Sequence, residues 1–459
     1  MTVIDDLVNA LGTQAVLTGD RVHERYRSDA SSTGRSLPLA VIRPTTTEQV
    51  SLALAICDRN RQAVVPQGGL TGLAGGANAS AGEIALSLEL MVGVEELDSA
   101  AGTMTVLAGT PLEVAQHAAE AAGFLLPIDF GARGSCQIGG TLSTNAGGIR
   151  VISHGMTRDN VLGLEVVLAD GTVLSSLNKM VKNNTGYDLR QLFIGAEGTL
   201  GIITRAVLRL RPLSAARLTA LCGLTDYLSV VQLLQRAQRD LPALSAFEAM
   251  WEAYFRFNVD ALKLSLFEKI HPFTVIIEQD VAGTTAERER FEAFLGQAYE
   301  DGVVVDALVA QSEKEARTFW STREIHMLEQ RMPGFVAFDV SLPIGDMAKF
   351  VDECEAAVKT QFPSAAVLFF GHIADSNLHI SVWTDTLTAQ DIHEVDVITY
   401  ALVQKYRGSI SAEHGIGTLK RDFLGHSRSP AELAVMRRIK AALDPNATLN
   451  PGKILPPPE

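Results

Sequence analysis

The chain has 459 residues, too many for one ordinary hydrophobic core, so two or three domains are expected. With 47% hydrophobic and 20% charged residues it reads as a soluble globular protein, and a formal net charge of -14 argues against a nucleic-acid binder, which needs a basic surface. The four cysteines, Cys57, Cys136, Cys222 and Cys354, form no CxxC pair, which argues against a disulfide framework or a thiolate metal site.

Residues 1–36 open with a helix carrying Val3, Leu7, Val8 and Leu11 on one face. Its acids stand where a secretory signal would have basic residues, and no apolar run reaches the roughly 18 residues of a membrane span, so a cytoplasmic location is expected. Leu39–Pro44 is a strand, and Thr45-Thr46-Thr47-Glu48 has the spacing of a capping box ahead of a helix with Val50, Ala53, Leu54 and Cys57 inside. Another short strand, Ala63–Val65, then breaks at Pro66 into Pro66-Gln67-Gly68-Gly69-Leu70-Thr71-Gly72-Leu73-Ala74-Gly75-Gly76, where five glycines fall in nine residues. Without Cβ atoms in the way, backbone amides can approach a phosphate there.

Ile84–Leu88 and Thr103–Ala108 are further strands, and Thr110-Pro111-Leu112-Glu113 reads as a second capping box, with Gly123 placed to end its helix. A second glycine segment follows, Gly134-Ser135-Cys136-Gln137-Ile138-Gly139-Gly140-Thr141-Leu142-Ser143-Thr144-Asn145-Ala146-Gly147-Gly148, and after the strand, turn and strand of residues 161–174 a third, Gly195-Ala196-Glu197-Gly198-Thr199-Leu200-Gly201-Ile202. Any one cluster could be a tight turn. Three together suit a long ligand with many polar oxygens, such as a dinucleotide, although no G-x-G-x-x-G opens a helix after the first strand and no P-loop occurs. Beyond residue 214 the glycine loops cease and helices such as 228–239 alternate with strands such as 273–278, which marks a domain boundary. A last helix over 431–443 leads to Leu449-Asn450-Pro451-Gly452-Lys453.

The runs PQGGLTGLAGG, GSCQIGGTLSTNAGG, VLGLEVVLADGTVL, KNNTGYDLRQLFIGAEGTLGIIT, GHIADSNLH, SAEHGIG and LNPGKIL, in this order, resemble the FAD-dependent D-2-hydroxy acid dehydrogenases, a branch of the vanillyl-alcohol oxidase type of flavoprotein. The resemblance spans nearly the whole chain and lies nearest the hydroxyglutarate branch. It implies an α+β fold: a two-part FAD-binding domain over residues 1–214, a substrate- and metal-binding cap over 215–415, and a helical return to the flavin over 416–459. FAD would be held noncovalently, since the 66–77 loop has no histidine or cysteine, by Pro66–Gly72, Gly134, Ser135, Gly139, Gly140, Ser143, Thr144, Asn145, Gly147, Gly148, Glu197, Gly198, Gly201, Ile202 and Asn450.

His372 and His379 flank the turn-like Ala374-Asp375-Ser376-Asn377 between two strand-like runs. If Ile373 pairs with Leu378, His372 lies directly opposite His379 on one face, with Cβ atoms about 5 Å apart. With Glu413 they form a set of two imidazoles and a carboxylate that suits Zn, Mn or Fe, and the family's metal motif matches at these three positions. By the same resemblance His414 is the base that removes the hydroxyl proton as C2 gives hydride to flavin N5, and Arg323 grips the substrate carboxylate. His414 could instead serve only to orient Glu413.

Three positions depart from the family: Met327 for a threonine, Ala337 for a lysine and Ser381 for an asparagine. Each would remove a polar contact to the substrate side chain, so a 2-hydroxy acid less anionic than 2-hydroxyglutarate, or differently shaped, is expected. The electron acceptor implied is an electron-transfer flavoprotein or a quinone, and a homodimer is one assembly the resemblance allows. A D-lactate or glycolate type dehydrogenase or oxidase, a metal-dependent hydrolase and a flavin binder without turnover remain alternatives.

Overall fold

The structure, a computed structural model, describes residues 2–456. Two units divide the chain: Met1–Gly148 with His154–Leu213 and Glu413–Glu459, and Ile149–Ser153 with Ser214–Ala412. The second thus takes in a short segment, 149–153, that nothing in the sequence separates from its neighbours, and it ends three residues ahead of the expected limit at 415.

In the first unit a four-stranded sheet has the order β1 (Val16–Thr18), β2 (Ala40–Ile42), β4 (Ile84–Ser87), β3 (Val64–Gln67). β2, β4 and β3 are parallel and mostly apolar inside, as strands covered on both faces should be, with the buried polar residues Ser87 and Gln67 only at the ends of β4 and β3. β1 is a short strand the sequence did not announce, and it pairs antiparallel to β2. A five-stranded antiparallel sheet follows in the order β5 (Val94–Asp98), β6 (Thr103–Leu107), β10 (Ile202–Arg209), β8 (Val161–Val167), β9 (Val173–Ser176). A small ribbon joins β7 (Phe124–Leu125) to β11 (Arg211–Pro212).

Neither expected capping box forms. Thr46 caps the helix Thr47–Arg59 by accepting from Gln49 N–H, and the Gln49 amide oxygen bonds back to Thr45 instead. The helix Leu112–Ala121 has proline at its N-cap, and the Thr110 hydroxyl pairs with the Gly93 backbone.

The second unit is built on a seven-stranded antiparallel sheet whose members are β12 (Ala216–Leu224), β13 (Leu244–Trp251), β14 (Phe273–Val281), β15 (Asp306–Val309), β16 (Val336–Ser341), β17 (Ala366–His372) and β18 (Asn377–Trp383). Their order is β15-β12-β14-β13-β17-β18-β16. Within it the segment 149–153 is held by a buried ion pair, Arg150 Nη1 to Glu278 Oε1 at 2.6 Å. The other Glu278 oxygen accepts from Trp320 Nε1 and the Thr219 hydroxyl, and Arg150 with its companions holds the carboxyl below the usual range despite burial. No helix among the described residues is long and apolar enough to cross a membrane, and all four cysteines are free and buried.

Candidate active site

In the first unit the chain leaves β3 at Gln67 and runs through residues 68–77 without regular structure. None of the backbone N–H groups of these ten residues donates to an acceptor among the described residues. A stretch of amides so left is a ready anion cradle. Its shape depends on close approach: a Cβ on Gly69 would sit 2.0 Å from the Ser135 carbonyl oxygen, so this position has no room for a side chain. Leu70 takes a left-handed φ of 57°, costly for a branched residue and sustained only by its surroundings.

The second glycine segment is not an open loop. Residues 138–144 form a short helix that contains Gly139 and Gly140, and the Ser143 and Thr144 hydroxyls bond back to their carbonyls. Asn145 ends that helix in left-handed conformation and accepts from Arg158 N–H, while Gly147 and Gly148 are buried beyond it. The third segment packs on the first: Cβ on Gly198 would meet Pro66 Cγ at 2.4 Å, and on Gly201 it would meet Val166 Cγ1 at 2.5 Å in front of Ile202.

Several residues expected to touch the cofactor direct their side chains to protein backbone. The Gln67 amide donates to Tyr26 O and Ala77 O, and the Asn450 amide to Gly76 O and Glu197 O. Desolvation pushes the Glu197 carboxyl up, and it accepts from Ile416 N–H at 2.7 Å and Gly417 N–H at 2.8 Å. It therefore fixes the segment 413–417, which carries Glu413 and His414. The Thr418 N–H donates to Ala74 O, so that segment is docked on the first glycine loop. Four buried acceptors around these loops have no partner: Asp29 Oδ2, Gln67 Oε1, Gln137 Oε1 and Asn450 Oδ1. A bank of free amides with orphaned acceptors beside it fits a phosphate-containing ligand that also bears hydroxyl and N–H donors, as FAD does.

In the second unit one face of the sheet collects the other expected residues. The register puts His379 opposite Phe370, not opposite His372, which corrects the simple hairpin expectation. A single 3-10 turn at Ile373–Asp375 with left-handed Ser376 closes the connection two positions away from the assumed pairing. Because 370 and 372 share a face, the imidazoles still meet, now diagonally, with ring centroids 5.3 Å apart and nearly perpendicular. Asp339 lies opposite His379, and Ala337 opposite Ser381, on the same face. Asp339 also receives the N–H of Ala412, the last residue of this unit, on its backbone oxygen at 3.2 Å.

Arg323 follows the helix Glu313–Ser321, and Met327 lies in the next, His326–Arg331, partly buried. The Arg323 guanidinium stands over the Phe370 ring at 4.9 Å, and Phe370 stacks on His379. Glu248, which the sequence reading overlooked, sits opposite His372 on β13. It is buried and accepts from His372 Nδ1 at 2.5 Å and Arg323 Nε at 2.8 Å. Burial alone would raise its carboxyl, but the hydrogen bonds from these two partners and the guanidinium charge overcome that and hold it low. The signal that could have found it is a single carboxylate in the otherwise apolar run 246–251, since a charge is rarely buried unless paired.

Two family models match: FAD binding domain over residues 38–176 and FAD linked oxidases, C-terminal domain, over 213–454. The fold is shared with 4-ethylphenol oxidase from Gulosibacter chungangensis, at a TM-score of 0.76 and 18% identity over 99% of this chain and 97% of that one. Fold and glycine cradle together define a flavoprotein of the vanillyl-alcohol oxidase type. The chain is 39% identical over 444 residues to mitochondrial D-2-hydroxyglutarate dehydrogenase of Bos taurus, covering 96% of this chain and 81% of that protein. It is also 39% identical over 438 residues to D-2-hydroxyglutarate dehydrogenase of Xanthomonas citri pv. viticola, covering 94% and 92%. It belongs to the FAD-dependent D-2-hydroxy acid dehydrogenases and is an oxidoreductase acting on a CH–OH group.

Proposed function

We infer that the enzyme oxidises D-2-hydroxyglutarate or a closely related D-2-hydroxy acid to the 2-keto acid, with His414 as base and a divalent metal, Zn by ligand chemistry, held by His372, His379 and Glu413. The observation that carries this reading is the face of the second-unit sheet, where two imidazoles and a guanidinium converge. Glu413 and His414 are the first two residues after Ala412, so the chain itself runs from that sheet into the segment docked on the glycine loop. FAD held in the cradle would supply the hydride acceptor, and a cation held by the imidazoles would lower the pKa of the substrate hydroxyl. Arg323 binds the C1 carboxylate and His414 takes the hydroxyl proton, while an electron-transfer flavoprotein or a quinone then accepts the electrons.

Ala337 and Ser381 stand two residues along their strands from Asp339 and His379, about 6.6 Å away, roughly where the far end of a five-carbon acid would fall. Neither can pair with a carboxylate as lysine would, so the grip on a second carboxylate is weak.

The test is anaerobic mixing of the yellow enzyme with D-2-hydroxyglutarate, D-lactate and glycolate, following loss of flavin absorbance. His414→Asn should keep its flavin but be reduced about 10²–10⁴-fold more slowly. Near-normal reduction would remove His414 as the base. If D-2-hydroxyglutarate outperformed all other acids by orders of magnitude in the wild type, the weak-grip reading would fall. An enzyme that no 2-hydroxy acid bleaches overturns the whole proposal.

A further inference from the structure

Glu248, His372 and Arg323 close a ring of hydrogen bonds deep in the second unit. Glu248 Oε1 pairs with His372 Nδ1, Glu248 Oε2 with Arg323 Nε, and Arg323 Nη2 with His372 Nε2 at 2.9 Å. Arginine has five donors and no acceptor, so His372 Nε2 must present its lone pair to Nη2. The ring proton is therefore on Nδ1, pointing at Glu248, and His372 is neutral. A neutral imidazole with Nδ1–H on a carboxylate and a free lone pair at Nε2 is the form that ligates a metal.

We propose that Glu248 is a positioning residue that serves both halves of the site: it fixes His372 in its metal-ligating tautomer and anchors the Arg323 guanidinium through Nε. The proposal rests on the metal-dependent reading above. Arg323 Nη2 occupies the same lone pair a cation would take. With a cation held at Nε2, the Nε bond to Glu248 would still anchor the Arg323 side chain for a substrate carboxylate. One buried carboxylate thus links metal loading to substrate binding.

Glu248→Gln tests this in the full-length, flavin-loaded enzyme. The isosteric amide has one oxygen and one NH2, so it cannot accept from both His372 Nδ1 and Arg323 Nε. Zn(II) affinity, read by titration and by metal content after gel filtration, should fall about 10–100-fold, with flavin content unchanged. At saturating Zn(II), KM for D-2-hydroxyglutarate should stay raised, because Arg323 is no longer anchored. Arg323→Gln separates the two effects: it keeps the Glu248–His372 bond, so Zn(II) affinity should not weaken while KM rises. It also keeps the proposal testable should Glu248→Gln lose its fold by circular dichroism: a Zn(II) affinity lowered tenfold in Arg323→Gln would overturn the division of roles. Glu248→Gln with wild-type Zn(II) affinity and KM overturns the inference, provided His372→Ala has lost the metal. Wild-type enzyme that binds no stoichiometric Zn(II), or His372→Ala that keeps it, instead defeats the metal reading beneath.

Discussion

Replacing Arg150 with methionine keeps most of its volume but removes the cation that pairs with Glu278. Both side chains are nearly solvent-free, with 7% and 4% of their side-chain surfaces exposed, so the carboxylate cannot recover its loss from water. Trp320 Nε1 at 2.9 Å and the Thr219 hydroxyl at 3.0 Å remain, and Arg217 is 3.8 Å away but largely solvated. These survivors place the penalty at the low end of the range for breaking a buried pair, about 3 kcal/mol. With a urea dependence of about 2–3 kcal/mol per molar, the unfolding midpoint of the second unit should drop by roughly 1–1.5 M. The assay is specific because all three tryptophans, Trp251, Trp320 and Trp383, lie in that unit, so selectively excited tryptophan fluorescence reports on it. Arg150→Met/Glu278→Gln removes the stranded charge and should regain part of the loss. A shift below about 0.3 M, or a double variant no more stable than the single one, would refute the assignment of the pair as a major support.

The same carboxylate predicts an acid limit. Its folded value lies below the ordinary 4.5, so its contribution is present above that value and is lost as pH falls below it; tryptophan-monitored midpoints should decline below about pH 4.5, less so in Arg150→Met, and equal slopes would count against it. Gly69→Ala puts a methyl 2.0 Å from the Ser135 carbonyl oxygen, so the cradle must distort and the variant should be purified with little flavin; a wild-type ratio of flavin to protein absorbance would contradict this. Glu197→Gln turns an NH2 toward one of its two part-buried backbone N–H partners and leaves it unpaired at about 1–3 kcal/mol, so hydrogen exchange over residues 413–418 should quicken and turnover fall; unchanged exchange would sink the tether. Ala337→Lys places a cation two residues from Asp339 on the proposed substrate-binding face and should lower KM for D-2-hydroxyglutarate about 10-fold or more without affecting D-lactate; a parallel change in both would show a nonspecific effect.

Much of this protein was legible along the chain because the signals are local. A strand that breaks into glycines, a helix face of Val50, Ala53, Leu54 and Cys57, and two histidines around a turn each declare themselves within a few residues. The glycine at 69 is dictated by backbone contact, and the two histidines needed only a shared face, which survived a wrong guess at their register.

What local sequence could not reveal is who stands across a strand. Glu248 meets His372 from 124 residues away, and Arg150 meets Glu278 from 128, because strand order in the seven-stranded sheet follows from packing of distant apolar faces. For the same reason Glu197, placed among the cofactor residues by its motif, turned out to hold the His414 segment by its amides. The chemistry of this site was written in residue types, whereas the partner of each charge was decided only when the sheet closed, since burying a charge demands a specific neighbour that composition does not name.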